Sequence, residues 1–201
     1  MNILESIYNR RAVKYFDRKH YLTREEESKL LKATIQAPTS FNIQHWRFVI
    51  LRDPTLRSKI RVELGYDQPQ ITDASLLVLF TADIKAWNKN PEQYCMDAPK
   101  EVADMLQEMI GSFYQEREWL QRDEAQRSIG LAMQTLMLAA QSLGLQSCPM
   151  MGFEIEKVAR LIKLPEDHVL GPMVAIGKGI KDPWPKIQQI ALEELVVENS
   201  F

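Results

Sequence analysis

The amino-acid sequence predicts a layered α+β or α/β fold, in which helices cover both faces of a central sheet. Residues 48–51 and 75–82 are uninterrupted apolar segments with the length and composition of strands that are buried on both faces. Helical patterns with recognisable start and stop signals surround them. With 201 residues, 45% of them hydrophobic, the chain is long enough to bury such a core as one domain, residues 1–201.

Three helices are predicted around the first strand. Residues 3–9 have the pattern of a short amphipathic helix. Thr23 followed by Glu26 is a capping box, which predicts a second helix that begins there and ends at Pro38. Between the two strands, Asp53 and the proline after it predict a third helix.

Residues 84–126 differ in character from the rest of the chain. They are polar and rich in Glu, Gln and Lys, and their apolar residues are spaced as in at least one amphipathic helix. Such an apolar stripe most often belongs to the core. An excursion between two core elements is also where a substrate lid is commonly built, so residues 84–126 are a candidate lid.

A central helix is predicted next. Residues 123–126 are a candidate N-terminal cap, and the helix that follows through 129–143 is apolar nearly all round. Gly144 and Leu145 predict a Schellman-type end. A helix of this kind is buried either by its own domain or by a second subunit.

The remaining sequence predicts a short strand and turn at 145–153, a helix at 154–164 and a last core strand at 170–179. The tail at 190–197 is apolar and has no obvious position on its own domain. We therefore expect the tail to pack on a partner subunit.

Composition excludes several classes of partner. The net charge of −2 and the pI of about 6.0 provide no basic stripe for nucleic acid or anionic membranes. No apolar run reaches the roughly 18 residues of a membrane span, and no signal-peptide pattern is present at the N-terminus. Cys95 and Cys148 form no CxxC pair, so we expect a cytoplasmic location. His20, His45 and His168 are far apart in sequence, so no metal site is expected.

A polar loop joins the second helix to the first strand. After Pro38, the side chains of Thr39, Ser40, Asn42 and Gln44 can donate and accept hydrogen bonds without carrying charge. Such a set suits a flat, polar heteroaromatic ligand. A loop held by Asx or Ser/Thr turns explains the same residues equally well.

A cluster of cations follows the first predicted helix. In an extended segment Arg10 and Lys14 would point the same way and Arg11 the other, so Arg10 and Lys14 could hold one anionic ligand together. A solvated basic turn is the alternative. The aromatic residues Tyr15 and Phe16 favour partial burial.

Four motifs, in this order, resemble those of the FMN-dependent nitroreductase family. They are Arg10-Arg11-Ala12-x-Lys14-x-Phe16, Ala37-Pro38-x-Ser40-x-Asn42-x-Gln44-x-Trp46-Arg47-Phe48, Pro149-Met150-Met151-Gly152 and Gly177-Lys178-Gly179. The resemblance covers essentially the whole chain. It implies an α+β fold with a central mixed or antiparallel sheet flanked by helices, an intertwined homodimer, and one FMN at each of two subunit interfaces.

The resemblance also implies roles for individual residues. Arg10 would bind the FMN phosphate, and residues 11–14 would reach the ribityl chain and the N1/O2 edge of the ring. Lys14 would stabilise the negative charge of the reduced flavin at that edge. A backbone N–H of Met151 or Gly152 would meet flavin N5, while the polar loop would come from the partner subunit.

The implied cofactor-binding residues are Arg10, Arg11, Ala12, Lys14, Pro38, Thr39, Ser40, Asn42, Gln44, Pro149, Met150, Met151, Gly152, Lys178 and Lys186. The family often has a Lys-x-Arg pair near its C-terminus for the phosphate, and here Lys186 is followed by Gln188 in place of the arginine. Either Lys186 or Lys178 could bind the phosphate in this part of the chain. Ala12 replaces a frequent serine, and methionine replaces a frequent glutamate in the turn beside the ring.

The expected reaction transfers two electrons from NAD(P)H through flavin N5 to an electron-poor acceptor, such as a nitroaromatic or a quinone, in a ping-pong sequence. The sequence contains no evident nucleophile or acid–base pair, as expected when the flavin performs the chemistry. No GxGxxG follows a strand, so the nicotinamide nucleotide is expected to bind transiently. Reductive dehalogenation, ene-type reduction and flavin binding without turnover are the alternatives. We expect Cys148 to be buried and unreactive.

Overall fold

The computed structural model of the protein describes residues 2–201 and contains a four-stranded sheet in the order β1-β2-β4-β3. The strands are β1 (Trp46–Ile50), β2 (Leu76–Asp83), β3 (Gln146–Met150) and β4 (His168–Gly177). All neighbouring strands are antiparallel. Every residue of β2 is buried. The two strands predicted first, together with the two later ones, are therefore confirmed, and β1 and β3 are the edges of this sheet.

Helices of the first half of the chain agree with the sequence patterns. They are α1 (Ile3–Asn9), α2 (Arg24–Thr34), α3 (Pro54–Lys59), which continues as a π-helical turn over Ile60–Leu64, and α4 (Gln70–Asp73). The capping box before α2 is confirmed, because the Thr23 side chain accepts from the Glu26 N–H. The helix ends at Thr34, a few residues before the expected end at Pro38.

The second half contains α5 (Ala86–Lys89), α6 (Lys100–Tyr114), α7 (Glu118–Ser142), α8 (Ile155–Leu161) and the short α9 (Leu192–Leu195). The expectation of at least one helix within residues 84–126 is confirmed by α6.

The predicted cap of the central helix at residues 123–126 is wrong. Helix α7 begins at Glu118, so residues 123–126 lie inside it. Leu120 and Ala125 are both buried, in two different apolar clusters. This burial on either side of residues 121–124 favours a continuous helix through residues whose side chains also favour caps.

The Schellman-type end of α7 is confirmed. Gly144 has a φ of +75°, a left-handed conformation that glycine adopts without steric cost. The N–H of Leu145 donates to the Ala140 carbonyl at 2.9 Å, and the N–H of Gly144 donates to the Gln141 carbonyl at 3.1 Å. The chain therefore turns sharply from α7 into β3.

Both faces of the sheet are covered, as the sequence predicts. Leu77 and Leu79 of β2 pack on one face with residues of α4, α8 and the N-terminal segment. Val78 and Phe80 pack on the other face with residues of α2 and α7. Alternate side chains of one strand thus enter two separate cores.

The C-terminal tail makes little contact with the rest of the chain. Every residue from 184 to 201 is exposed, including the apolar side chains of Ile187, Ile190, Leu192 and Leu195. Apolar residues on the outer face of α1, such as Ile3 and Leu4, are exposed as well.

Within residues 2–201, the structure contains no helix that combines the length and the apolar character needed to cross a bilayer.

Candidate functional site

The N-terminal segment after α1 lies along the outer side of β3. The Val13 N–H donates to the Ser147 carbonyl at 3.0 Å, and Phe16 forms an antiparallel bridge with Gly179. Val13 is 4% exposed and Phe16 is 1% exposed. These two apolar anchors fix the segment, so the neighbouring cations are held at the surface of the protein.

Cations from the two ends of the chain meet in one cleft of about 300 Å³, here named the cationic cleft. Its charged walls are Arg10, Arg11, Lys14 and Lys186, and no carboxylate lines it among the described residues. Like charges held together without a counter-ion favour the binding of an anion. Arg10 and Lys14 lie together, as expected. The expectation that Arg11 points the other way is wrong, because Arg11 lines the same cleft and its guanidinium donates to the Trp184 carbonyl.

Trp184 joins the tail to the cationic cleft. The Lys14 ammonium lies 3.8 Å from the centroid of the Trp184 ring, a cation–π contact. The Arg11 guanidinium donates to the Trp184 carbonyl. This residue was not among the sequence-based candidates, although a tryptophan between two prolines is a visible signal.

Lys178 is located elsewhere. It follows β4 and is exposed, and its carbonyl accepts from the Asp17 N–H at 2.8 Å. Its side chain does not line the cationic cleft, whereas Lys186 does. The geometry favours Lys186 as the late lysine that faces an anion.

The far end of β3 opens into a turn, residues 151–154, in which Phe153 is buried and the first two residues are exposed. Pro149 is partly buried and Met150 is buried, while Met151 and Gly152 are exposed. The Phe153 N–H donates to the Met151 carbonyl at 2.9 Å. Among the described residues no group accepts the Gly152 N–H, which leaves a free backbone donor at the surface beside β3.

A segment that the sequence reasoning missed, residues 64–70, packs against this turn. The Gln68 amide donates to the Gly152 carbonyl at 2.5 Å, and the Glu154 N–H donates to the Leu64 carbonyl at 2.8 Å. Gln70 is 1% exposed, and its amide oxygen has no partner among the described residues. No local pattern distinguishes these glutamines from surface residues, because their partners are distant in sequence.

The polar loop is a strained turn before β1. Residues Phe41, Asn42 and Gln44 have φ values of 50°, 55° and 52°, which costs free energy for residues other than glycine. The Thr39 hydroxyl accepts from the Gln44 N–H at 3.0 Å. Thr39 thus holds the loop, as the turn interpretation expects, and no described group hydrogen-bonds the side-chain amide of the exposed Asn42.

Aromatic contacts attach residues 84–126 to the polar loop. The Phe41 ring lies 5.6 Å from Phe113 and 6.3 Å from Tyr114, measured between centroids. Tyr114 also stacks on Trp87 at 6.0 Å. The candidate lid and the polar loop therefore form one connected unit.

The polar loop and the cationic cleft lie at opposite edges of the sheet. The loop leads into β1, and the segment that carries Arg10 to Lys14 is paired with β3. Three strand spacings separate these edges, about 14 Å. Within the described chain no hydrogen bond or ion pair connects the two sets of residues, so one chain alone does not bring them together.

Two buried titratable groups lie near the candidate residues. Burial lowers the pKa of His45 to about 4, so its ring is neutral at pH 7. The Ser128 hydroxyl donates to the Glu124 carbonyl at 2.8 Å and lies 3.0 Å from His45 Nδ1, so Nδ1 carries the proton. Burial raises the pKa of the Cys148 thiol to about 11, in line with an unreactive cysteine.

One group of possible metal ligands comes together away from these residues. Oxygen or nitrogen atoms of Asp83, Asp167 and His168 lie within 4.8 Å of one another. The Lys89 ammonium is 2.6 Å from the Asp83 carboxylate and 2.7 Å from the Asp167 carboxylate. The lysine supplies the positive charge that this cluster requires, and the arrangement is an ion-pair network.

A family model described as the nitroreductase family matches residues 7–178. The chain belongs to the nitroreductase family. Its resemblance to this family, and the α+β fold that the resemblance implies, are confirmed. Membership supports an oxidoreductase activity. The matched residues include Arg10 and Lys178, while Trp184 and Lys186 lie beyond them.

Relatives and solved structures agree with this assignment. The protein DrgA of Synechocystis is 60% identical over 182 residues, which are 90% of this chain and 86% of DrgA. YodC of Bacillus subtilis, named provisionally as an NAD(P)H nitroreductase, is 29% identical over 185 residues, 90% of this chain and 91% of YodC. A provisionally named nitroreductase from Exiguobacterium sibiricum, solved in complex with FMN, has the same fold. The TM-score is 0.89 at 22% identity, and 98% of this chain and 97% of that chain are covered.

We expect this nitroreductase-family protein to lose stability as the pH falls from 6.5 toward about 4, the ordinary and the folded-state pKa of His45. Between these values the unfolded chain binds a proton at His45 that the folded protein does not, so acid favours unfolding. The difference between these two pKa values corresponds to about 3 kcal/mol of unfolding free energy.

Urea unfolding at several pH values across this range measures the effect. The His45→Gln variant, which cannot titrate, should lose stability less steeply than the wild-type protein. Equal slopes in the two proteins would contradict the assignment to His45.

Proposed function

We propose that this protein is an FMN-dependent oxidoreductase that passes two electrons from NAD(P)H to an electron-poor acceptor, such as a nitroaromatic or a quinone. The observation that carries the proposal is the arrangement along β3. The cationic cleft lies beside one end of this strand, and an exposed turn with a free N–H donor follows the other end. An anionic group and a flat heteroaromatic ring joined by a short chain would match both features.

The residues fit FMN in two independent ways. The cationic cleft offers guanidinium and ammonium donors to a phosphate monoester, and Arg binds such a group in a bidentate manner. The buried amide oxygen of Gln70 lacks a donor, and the isoalloxazine ring of FMN has an N–H group that could supply one. Gln70 lies next to β3, since its amide nitrogen is 3.9 Å from Cys148 Sγ.

Each cation of the cleft has a separate role in this proposal. Arg10 and Lys186 would bind the phosphate, and Arg11 would reach the ribityl chain. Trp184 would hold Lys14 by its cation–π contact. Lys14 would place a positive charge near the part of the ring that gains negative charge on reduction. FMN itself would supply the two-electron redox chemistry when bound.

The chain supplies binding and orientation instead of acid–base catalysis. His45 is neutral and fully buried, and Cys148 is a protonated thiol. The turn that carries Met151 and Gly152 is open to solvent, so a donor and an acceptor could use the same exposed site in turn, as in a ping-pong sequence. The provisional name of YodC includes NAD(P)H as the donor, and the Exiguobacterium structure contains FMN.

The complete site would form in a homodimer, with the polar loop of one copy approaching the cationic cleft of the other. The separation of these two features within one chain supports this arrangement. The exposed apolar residues of α1, α7 and the tail provide surface for a second copy to cover. Residues 84–126 would then serve as the lid of a single-domain protein, because Phe41 connects them to the loop. Both cysteines are free and buried, which suits the cytoplasm.

Anaerobic reduction tests the proposed reaction. The purified protein, reconstituted with FMN, should lose the visible absorption of the bound flavin when NADPH or NADH is added, and nitroaromatic or quinone acceptors should restore it. If FMN binds and neither nucleotide bleaches it, a flavin-binding protein without turnover becomes the better account. Selective turnover of halophenols or activated alkenes would favour the dehalogenase or ene-reductase alternatives.

The cationic cleft should govern FMN affinity. We expect Arg10→Ala and Lys186→Ala each to weaken FMN binding by about 1–3 kcal/mol, because each removes a charge-assisted contact. Fluorescence titration of FMN measures the dissociation constants. Lys178→Ala is the matched control, since this exposed lysine lies outside the cleft. If Lys178→Ala weakens FMN binding more than Lys186→Ala does, Lys178 and not Lys186 is the lysine that binds the phosphate.

Mixed dimers test whether two chains share each site. One variant, Arg10→Ala with Lys186→Ala, disables the cationic cleft, and another, Ser40→Ala with Asn42→Gly, disables the polar loop. Glycine at position 42 keeps the positive φ accessible. In a shared-site dimer the purified heterodimer has one intact site, so it should bind about half the FMN of the wild type. If the heterodimer binds no more FMN than the two homodimeric variants, each site belongs to one chain.

A further inference from the structure

The 151–154 turn is held by a second, distant segment. Residues 64–70, here named the buttress, contact the turn at three points. The Glu154 N–H donates to the Leu64 carbonyl at 2.8 Å, the Tyr66 hydroxyl donates to the Glu154 carboxylate at 2.9 Å, and the Gln68 amide donates to the Gly152 carbonyl at 2.5 Å. Of these, only the Gln68 contact reaches the exposed residue at the tip of the turn.

The hydrogen-bond network determines the orientation of the Gln68 amide. Its nitrogen lies 3.2 Å from the Gly65 carbonyl as well as close to the Gly152 carbonyl. Carbonyl oxygens only accept, so this end of the amide must be the NH₂ group. The Gln68 oxygen then accepts from the Gln70 amide at 2.9 Å. Gln70 thereby holds Gln68 in the orientation that binds Gly152.

These contacts fix the peptide groups on both sides of Gly152. Gln68 binds the Gly152 carbonyl, and the Met151 carbonyl accepts from the Phe153 N–H at 2.9 Å. In a trans peptide the N–H points opposite to the carbonyl. The Gly152 N–H therefore points away from Phe153, out of the turn, where no described residue accepts it.

Gly152 and Gln68 are in close contact. A Cβ atom at position 152 would lie 3.3 Å from the Gln68 amide nitrogen, closer than ordinary van der Waals contact. The absence of a side chain thus allows Gln68 to approach the turn.

The buttress maintains a backbone that is costly for its residues. Tyr66 and Asp67 have φ values of 50° and 52°, and each such residue costs roughly 1–3 kcal/mol. Arg61 stabilises this conformation, because its guanidinium donates to the Asp67 carboxylate at 2.7 Å and to the Thr72 hydroxyl at 2.9 Å. The π-helical turn at Ile60–Leu64 leads directly into the strained residues, and such turns are frequent at functional sites.

We propose that Gln68 is a positioning residue, which holds the Gly152 N–H in one direction toward the bound flavin and thereby sets the balance between its oxidised and reduced forms. This inference rests on the proposed FMN-dependent function. An N–H donor can bind the ring nitrogen N5 while it has a free lone pair, in the oxidised flavin. After two-electron reduction this nitrogen carries a proton and no longer accepts, so a firmly held donor favours the oxidised form.

Substitution of Gln68 by methionine tests the proposal, because methionine retains the length of the side chain and removes the donor. We expect Gln68→Met to change the ratio of the dissociation constants for oxidised and reduced FMN about threefold to tenfold in favour of the reduced form, the effect of one neutral hydrogen bond. A tenfold change corresponds to a rise of about 30 mV in the two-electron midpoint potential. Tyr66→Phe is the matched control, since it removes the contact with Glu154 and leaves the Gly152 carbonyl bound; its potential should equal that of the wild type.

Photoreduction of the FMN-loaded protein against a reference dye measures the midpoint potential without NAD(P)H, so the result is independent of the proposed donor. Equal potentials in Gln68→Met and the wild type, or an equal shift in Tyr66→Phe, would overturn the positioning role. A shifted potential in a protein that NAD(P)H does not bleach would support Gln68 and overturn the proposed reductase function. Failure of the wild-type protein to bind FMN would overturn both.

Discussion

The antiparallel pairing of β2 with β4 determines where the other parts of the protein lie. These two strands form the centre of the sheet, and their side chains enter cores on both faces. With β2 and β4 in the centre, β1 and β3 become the edges. The polar loop is thereby placed at one edge and the cationic cleft at the other, and the proposed homodimer rests on this separation.

Unbalanced charge and strained backbone are both found near the candidate binding segments. The cationic cleft gathers cations without a carboxylate in its described walls, an arrangement that is unfavourable until an anion binds. Two strained backbone segments, the polar loop and the buttress, contain residues with positive φ other than glycine. Such conformations persist only where surrounding contacts impose them. Here the Thr39 hydroxyl holds the first segment, and Arg61 holds the second.

Apolar packing provides the rigidity on which these segments depend. Val13 and Phe16 attach the N-terminal segment to the core, while Ile43 and Tyr114 join the polar loop to α6 in a smaller cluster. Both candidate binding segments are therefore loops fixed by buried side chains at their ends. This combination of an exposed polar surface and buried anchors limits the entropy that a ligand must remove on binding.

The sequence alone determined the elements whose signals are local. Apolar runs identified β1 and β2, the capping box located the start of α2, and Gly144 located the end of α7. Four short motifs identified the family and most candidate residues from Arg10 to Lys178. The family's C-terminal pattern added Lys186. Each of these signals acts between residues a few positions apart, where backbone conformation and side-chain type are directly coupled.

The start of α7 and the contacts between residues distant in sequence were decided only by the tertiary structure. The start of α7 depended on burial of Leu120 and Ala125, which no local cap signal reveals. The meeting of Arg11 with Trp184, and the contact of Gln68 with Gly152 across 84 positions, depend on how the strands are ordered. A hydrogen bond between distant residues requires the fold to bring donor and acceptor together. The local sequence around each of these residues does not indicate which distant residue it contacts, because the contact forms only in the folded chain.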